Sequence, residues 1–242
     1  MARKWNPTCN RFVAFFDIMG FKEMMFRNSH AYVMRKMNAI REMTKLMEKD
    51  GQALTQKRNV GDNNPNSLLP KAIVLPVIFS DSILFVSEDD SKTSALQMLF
   101  EASFLLHFCF SEGIPLKGAL AYGKQTADFN RSLHFGRPLI DAYELQDELH
   151  MYGVVLHHSM EKYLRRHNLL ENSDVLCRCA VPLKSGSVRH YCIDTRIFGS
   201  DKTELLILKI SEMYDTVSGS TRLYVDNTID FVREIEVSNP RK

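Results

Sequence analysis

A single α/β or α+β domain is the fold class this sequence predicts, and three observations predict it. Apolar runs of strand length and helix length alternate in the order strand, helix, hairpin, helix, strand, helix, hairpin. The 242 residues are 45% hydrophobic and 10% aromatic, which is enough apolar material for a sizeable core. No internal repeat and no low-complexity linker breaks the series.

The first element is Arg11–Ile18 (RFVAFFDI), a short aromatic and β-branched run that ends in an acid and reads as a buried strand. After Phe21 the spacing changes. Val33, Met37, Ile40, Met43 and Met47 recur at three- and four-residue steps with charged residues between them, the pattern of a helix with one core-facing side. Residues 51–70 are rich in Gly, Asn and Pro and read as a loop. Ala72–Phe79 and Ile83–Val86 flank Ser80-Asp81-Ser82 as the two arms of a β-hairpin. Thr93–Phe110 is helical by length and apolar on nearly every side, so it belongs in a core. Leu116–Tyr122 is a strand, followed by a loop to Phe135-Gly136. Pro138–Leu149 is a helix whose first turn accepts proline because that N–H has no intrahelical partner. Val175–Val181 and Val188–Ile193 form a strand pair joined near Ser185-Gly186, and two helical segments follow at about 203–214 and 221–235.

Composition narrows the function classes. Lys and Arg number 31 against 29 Asp and Glu, so the formal charge is +2 and no direct nucleic-acid binding through a broadly basic surface is expected. The longest apolar runs, Ala72–Phe79 and Phe104–Phe110, fall short of the roughly 20 residues that span a bilayer. The first ten residues lack the apolar run of a secretory signal. The five cysteines have no disulfide-framework spacing and read as reduced thiols of a cytoplasmic protein. A zinc site combining Cys177 and Cys179 with His157 and His158 is the weaker alternative to buried thiols, because metal-ligand pairs usually sit wider apart.

Two acids stand out. Asp17 ends the first buried strand, and Asp81 sits at the tip of an apolar hairpin. Each alone is explained by capping or turn formation. Two carboxylates on neighbouring strands, however, are costly to bury without a cation, and such a pair is what a two-metal phosphoryl-transfer site requires.

FFDIMGF (Phe15–Phe21) resembles the F-x-D-I-x-G-F motif of class III nucleotide cyclases, and FSDSILF (Phe79–Phe85) resembles the hairpin carrying their second metal-binding aspartate. LKGALAYGK (Leu116–Lys124) and FGRPLIDAYELQ (Phe135–Gln146) are similar to their later strand and following helix. The pattern, with VPLKSG at Val181–Gly186, is most similar to the bacterial pyrimidine cyclases of the Pycsar antiphage system and covers about residues 10–195. The resemblance implies an α+β sandwich of ferredoxin-like or palm type, an antiparallel-rich sheet covered by helices. It also implies one domain over residues 1–242, with a helical C-terminal extension from about 200. Asp17, Asp81 and the carbonyl of Ile18 would hold two Mn²⁺ or Mg²⁺ ions per site. Phe16, Ile18, Gly20, Phe21 and Lys22 would contact the nucleotide, with the amides of the first helix facing its triphosphate. The implied reaction is attack of a ribose 3′-hydroxyl on its own α-phosphorus with loss of pyrophosphate. The implied assembly is a homodimer with composite sites. The implied product is a second messenger read by a separate effector protein.

The departures from the family pattern point to the base. Aligned on Asp81 and Gly136, the purine-reading positions fall on Val77 and Leu133, both apolar, which disfavours ATP and GTP and leaves UTP or CTP. His134, Asn130 and Arg131 lie nearby as possible readers of a smaller base. On the late helix, Ile140 and Glu144 occupy the places of the family's Asn and transition-state Arg. Arg137, Lys117, Lys184 and Arg196 are the candidate replacements for that cation. A catalytically silent cyclase-fold dimer and a palm-type nucleotidyltransferase are the competing expectations.

Overall fold

Residues 5–58, 73–171, 173–195 and 203–238 are described in the structure, a computed structural model. Their framework is one eight-stranded sheet in the order β2-β3-β1-β4-β6-β8-β7, with β5 paired to β4. The central strands are β1 (Thr8–Ile18) and β4 (Leu116–Asp128), antiparallel over the whole length of β1. On the other side of β1 lies the hairpin of β2 (Val74–Phe79) and β3 (Ser82–Ser87), antiparallel throughout. Beyond β4, β6 (Gly153–Leu156) is the one parallel partner, and the hairpin β7 (Leu176–Leu183) and β8 (Gly186–Ile193) closes the far edge. The α+β architecture with an antiparallel-rich sheet covered by helices, expected from the sequence, is what the chain adopts.

Strand alternation divides the side chains of β1 between two faces. Phe12, Ala14, Phe16 and Ile18 enter the main core, where Phe16 meets Phe85 of β3 edge to face at 5.1 Å. Helix α3 (Lys92–Ser111) fills that core with Met98, Leu99, Ala102, Leu105 and Leu106, all buried, which explains a sequence apolar on every side. By length and composition α3 matches a membrane span, unlike the shorter runs expected, but it lies largely buried in the core. The methionine stripe falls on α2 (His30–Arg58), where Val33, Ile40, Met43 and Met47 are buried and Met37 packs against the core. The opposite face of β1 carries Val13, Phe15 and Asp17. There Phe15 meets Tyr143 of α4 (Arg137–Glu148) at 5.4 Å.

Several boundaries differ from expectation. The helix after Phe21 is two helices, α1 (Phe21–Arg27) and α2, because Asn28 takes an extended backbone. The loop expected from residue 51 is helical to Arg58, and residues 59–72, Ala72 among them, lie outside the described ones. β4 runs six residues past Tyr122, and the expected loop beyond it contains β5 (Leu133–Gly136). β6 and α5 (His158–Arg166) have no counterpart in the sequence reading. The C-terminal helices α6 (Thr203–Ser211) and α7 (Arg222–Ser238) pack back onto the sheet, where Tyr152 donates its amide to Thr228 Oγ1 at 2.8 Å.

Candidate active site

Two backbone bonds anchor the end of β1, and the first brings Asp81 beside it. The Ile18 amide donates to the carbonyl of Asp81 at 2.9 Å, and the Met19 amide donates to Pro115 at 2.9 Å. The first ties the tip of the β2–β3 hairpin to the end of β1. Ser80 starts the two-residue turn with φ 56°, a left-handed conformation few non-glycine residues adopt. Asp17 therefore lies across from Ser82 on one side and Lys117 on the other, with Asp81 next in the turn.

The corner is short of positive charge. Burial pushes the Asp17 carboxyl above its ordinary value. Lys117 pulls it down, and Asp81 and Asp147 push it further up. Lys117 is 3% exposed. Burial pushes its ammonium down, opposed by Asp17 and Asp147. Its Nζ donates to the Asp147 carbonyl at 3.4 Å, lies 4.0 Å from Asp147 Oδ1, and stands 6.0 Å from the centre of the Tyr224 ring. Lys184 donates to the other Asp147 oxygen at 2.9 Å, which holds that carboxyl below its ordinary value. Half-buried Asp17, with a second acid, Asp81, beside it and one lysine opposite, suits a divalent cation, since hard ions take carboxylate and carbonyl oxygen. Asp17, Asp81 and the carbonyl of Ile18 thus fit as holders of Mn²⁺ or Mg²⁺.

Gly20, φ 70°, turns the chain from β1 into α1, and a side chain there would meet nothing within 4 Å. The amides of Phe21, Lys22 and Glu23 precede the first helical acceptor bond, from Met24 to Gly20. Phe16 is buried in the main core, so its expected place among the nucleotide contacts is limited to backbone.

The base-reading positions are not gathered at this corner. Val77 lies opposite Leu84 on β2, packed against the small cluster of Val13, Leu84, Val86 and Ala127. Leu133, 48% exposed, pairs with Asp128 at the far end of β4, eleven residues from Lys117 and about 36 Å away at about 3.3 Å per residue. Of the four candidate cations, Lys117 and Lys184 reach the Asp17 corner. Arg137 pairs with Asp141 at 3.6 Å, and Arg196 lies outside the described residues. Ile140 and Glu144 both face outward on α4. The sequence reading missed Asp147 and Tyr224. Asp147 shares a helix face with Ile140, Tyr143 and Glu144, so the helical period was its available signal. The histidines of the alternative zinc site go elsewhere, His157 Nδ1 lying 2.9 Å from Ser159 Oγ at the start of α5.

No protein-family model and no curated protein matches the sequence. Among solved structures, the catalytic core of a rhodopsin-guanylyl cyclase with converted specificity, in complex with ATPαS, superposes with a TM-score of 0.55. The match covers 78% of this chain and 98% of that one at 15% identity. A class III adenylyl cyclase-like ATP-binding protein from Pseudomonas aeruginosa aligns over 96% of this chain and 44% of its own, with TM-score 0.43 and 12% identity. The fold is that of a nucleotide cyclase catalytic core.

Proposed function

We propose that this protein is a divalent-metal-dependent pyrimidine nucleotide cyclase that converts UTP to 3′,5′-cyclic UMP and pyrophosphate. The observation that carries the reading is the corner where the Ile18 amide bonds the Asp81 carbonyl, which sets Asp81 next to Asp17 and opposite the buried Lys117, on a cyclase-core fold. In the reaction the ribose 3′-oxygen bonds to the α-phosphorus, the bond from that phosphorus to the departing pyrophosphate breaks, and the hydroxyl proton passes to solvent. Two Mn²⁺ or Mg²⁺ ions, when bound, would acidify the hydroxyl and neutralise the phosphates. Asp17, Asp81 and the Ile18 carbonyl hold the ions, the amides of Phe21 and Lys22 face the triphosphate, and Lys117 and Lys184 supply fixed positive charge. Val77 and Leu133 offer no hydrogen bond to a purine edge, which supports a pyrimidine, with CTP and cyclic CMP as the close alternative.

The site is shared between two copies of the chain. The span of β4 between Lys117 and Leu133's partner Asp128 supports this, as do the exposed Phe79, Ile140 and Tyr143. The C-terminal helices belong to the same domain as the core. The resemblance to Pycsar cyclases extends the reading to a cytoplasmic antiphage signal received by a separate effector protein.

Incubation with each of the four ribonucleoside triphosphates and Mn²⁺, followed by mass spectrometry, tests the proposal. Cyclic UMP or cyclic CMP, lost in Asp81→Ala, is the expected result; a product from ATP alone overturns the pyrimidine assignment. The outward, acidic Glu144 favours one second reading, a cyclase-fold dimer that binds nucleotide without turnover. Metal-dependent UTP binding with no product in the same experiment would select it.

A further inference from the structure

At the other end of the sheet, on the third and fourth strands from β1, lies a cluster of thiols that the proposed reaction does not use. Cys177 and Cys179 alternate along β7 on one face, and Cys192 of β8 is the direct cross-strand partner of Cys177. All three are buried, at 4%, 0% and 0% exposure. Cys192 Sγ lies 2.9 Å from Cys179 Sγ and 3.7 Å from Cys177 Sγ, and the three sulfurs are all within 4.8 Å of one another. Among the described residues this is the one group of three metal-ligating side chains so placed.

We propose that Cys177, Cys179 and Cys192 form a binding site for a thiophilic d¹⁰ ion, Cu(I) or Zn(II), that clips the β7–β8 edge of the sheet. Sulfurs bound to one ion at about 2.3 Å stand about 3.8 Å apart in a tetrahedral shell and about 4.0 Å apart in a trigonal one. The Cys177–Cys192 separation already matches. Cys179 needs only to move away from Cys192, and the sheet fixes the backbone from which all three side chains project. A pure thiolate donor set selects soft ions over the hard ions that suit Asp17 and Asp81, so the two sites take different metals. A disulfide would use two of the sulfurs and leave the third without a purpose. Binding replaces the thiol protons with the ion and releases them to solvent, and it requires no change of oxidation state. Because the ligands lie on the two outermost strands at that edge, the bound ion stabilises the edge hairpin.

The test uses the whole chain, refolded under reducing conditions with Zn(II), Cu(I) or Cd(II) and dialysed. One ion per chain by elemental analysis, a sulfur-to-Cd(II) charge-transfer band, and a raised unfolding temperature are expected. Cys177→Ser, Cys179→Ser and Cys192→Ser should each reduce uptake at least tenfold, whereas Cys9→Ser and Cys109→Ser retain it. If the serine variants fail to fold, the intensity of the Cd(II) band of the wild-type chain, calibrated for three thiolates, decides in their place. No ion retained by the folded wild type overturns the proposal, as does undiminished uptake in the cluster variants. So does a chain prepared without reductant that has lost two hydrogens and alkylates at only three of its five cysteines after unfolding, since that marks a redox pair.

Discussion

Replacing Asp17 with Asn should make the ion-free protein more stable at neutral pH while abolishing cyclase activity. Folding takes this carboxylate out of water, and three charges then act on it. Across an antiparallel pair, at about 5.5 Å and an effective dielectric constant of about 20, the attraction of Lys117 is on the order of 3 kcal/mol. Asp81 and Asp147 each oppose it with a smaller repulsion, and the net shift is upward with burial its largest cause. What remains is the cost of burial, roughly 1–2 kcal/mol for a half-buried group. Asn avoids that cost without orphaning Lys117, which keeps the Asp147 carbonyl and carboxylate. For a chain of this length the gain raises the unfolding temperature by roughly 2–8 °C. The pH dependence has a definite sign. With the folded carboxyl titrating above its ordinary 3.8, the folded state binds the proton more tightly than the unfolded one. Wild-type stability is therefore fullest below that value and falls as pH rises through the window up to the raised folded value, while the Asn variant shows no such fall. Urea unfolding in EDTA across this range measures the difference. Adding Mn²⁺ should reverse the order, because only the wild type binds the ion well; at a hundredfold excess over its dissociation constant it gains about 2.7 kcal/mol. An Asn variant that is less stable in EDTA at neutral pH, or that gains as much from Mn²⁺, would refute the reasoning.

Two further outcomes follow from packing. Gly118 lies against Phe16 and the Phe15 carbonyl, and a Cβ there would come within 2.9 Å of that oxygen. Gly118→Ala should therefore cost about 1–3 kcal/mol in chemical denaturation, and a loss under 0.5 kcal/mol would show that the sheet relaxes freely. Ile140, 57% exposed on α4, contributes little to the monomer. Ile140→Glu should leave the melting curve unchanged, shift sedimentation from dimer to monomer, and make activity strongly concentration-dependent; an unchanged dimer would place the interface elsewhere.

What could be read in the sequence divides along physical lines. Strong periodic signals translated directly into structure: the RFVAFF run is the centre of β1, the methionine stripe is the buried side of α2, and Ser80-Asp81 is a hairpin turn. Weak or mixed signals did not. β5 is four residues long, and the outer half of β4 is polar and held between β1 and β5 by backbone pairing, so neither offers an apolar run long enough to register. β6 is four residues long, too short for a period to register. Arg11, the first residue of the RFVAFF run, is fully buried, donating to the Ser87 carbonyl at 3.3 Å and stacked 4.7 Å over Trp5, a placement no periodic signal marks. At the site, the acids were legible because they interrupt apolar strands. The lysine opposite Asp17 was one candidate among four until strand register singled it out; Asp147 left only a helical period as its signal, and Tyr224 depended on tertiary packing alone.

That register also bears on how a chain of nearly zero net charge would serve the triphosphate proposed as its substrate. Asp17, Lys117, Asp147 and Lys184 alternate in sign from β1 through β4 and α4 to the β7–β8 turn, so each charge is offset by the next. In that chain Asp17 is the end member, and the neighbour on its other side is Asp81 rather than a second cation. The imbalance is local, and it is negative. A triphosphate arriving alone would be repelled there, whereas divalent ions would bring both the compensating charge and the phosphates. Metal dependence is thus the expected consequence of how the strands are paired.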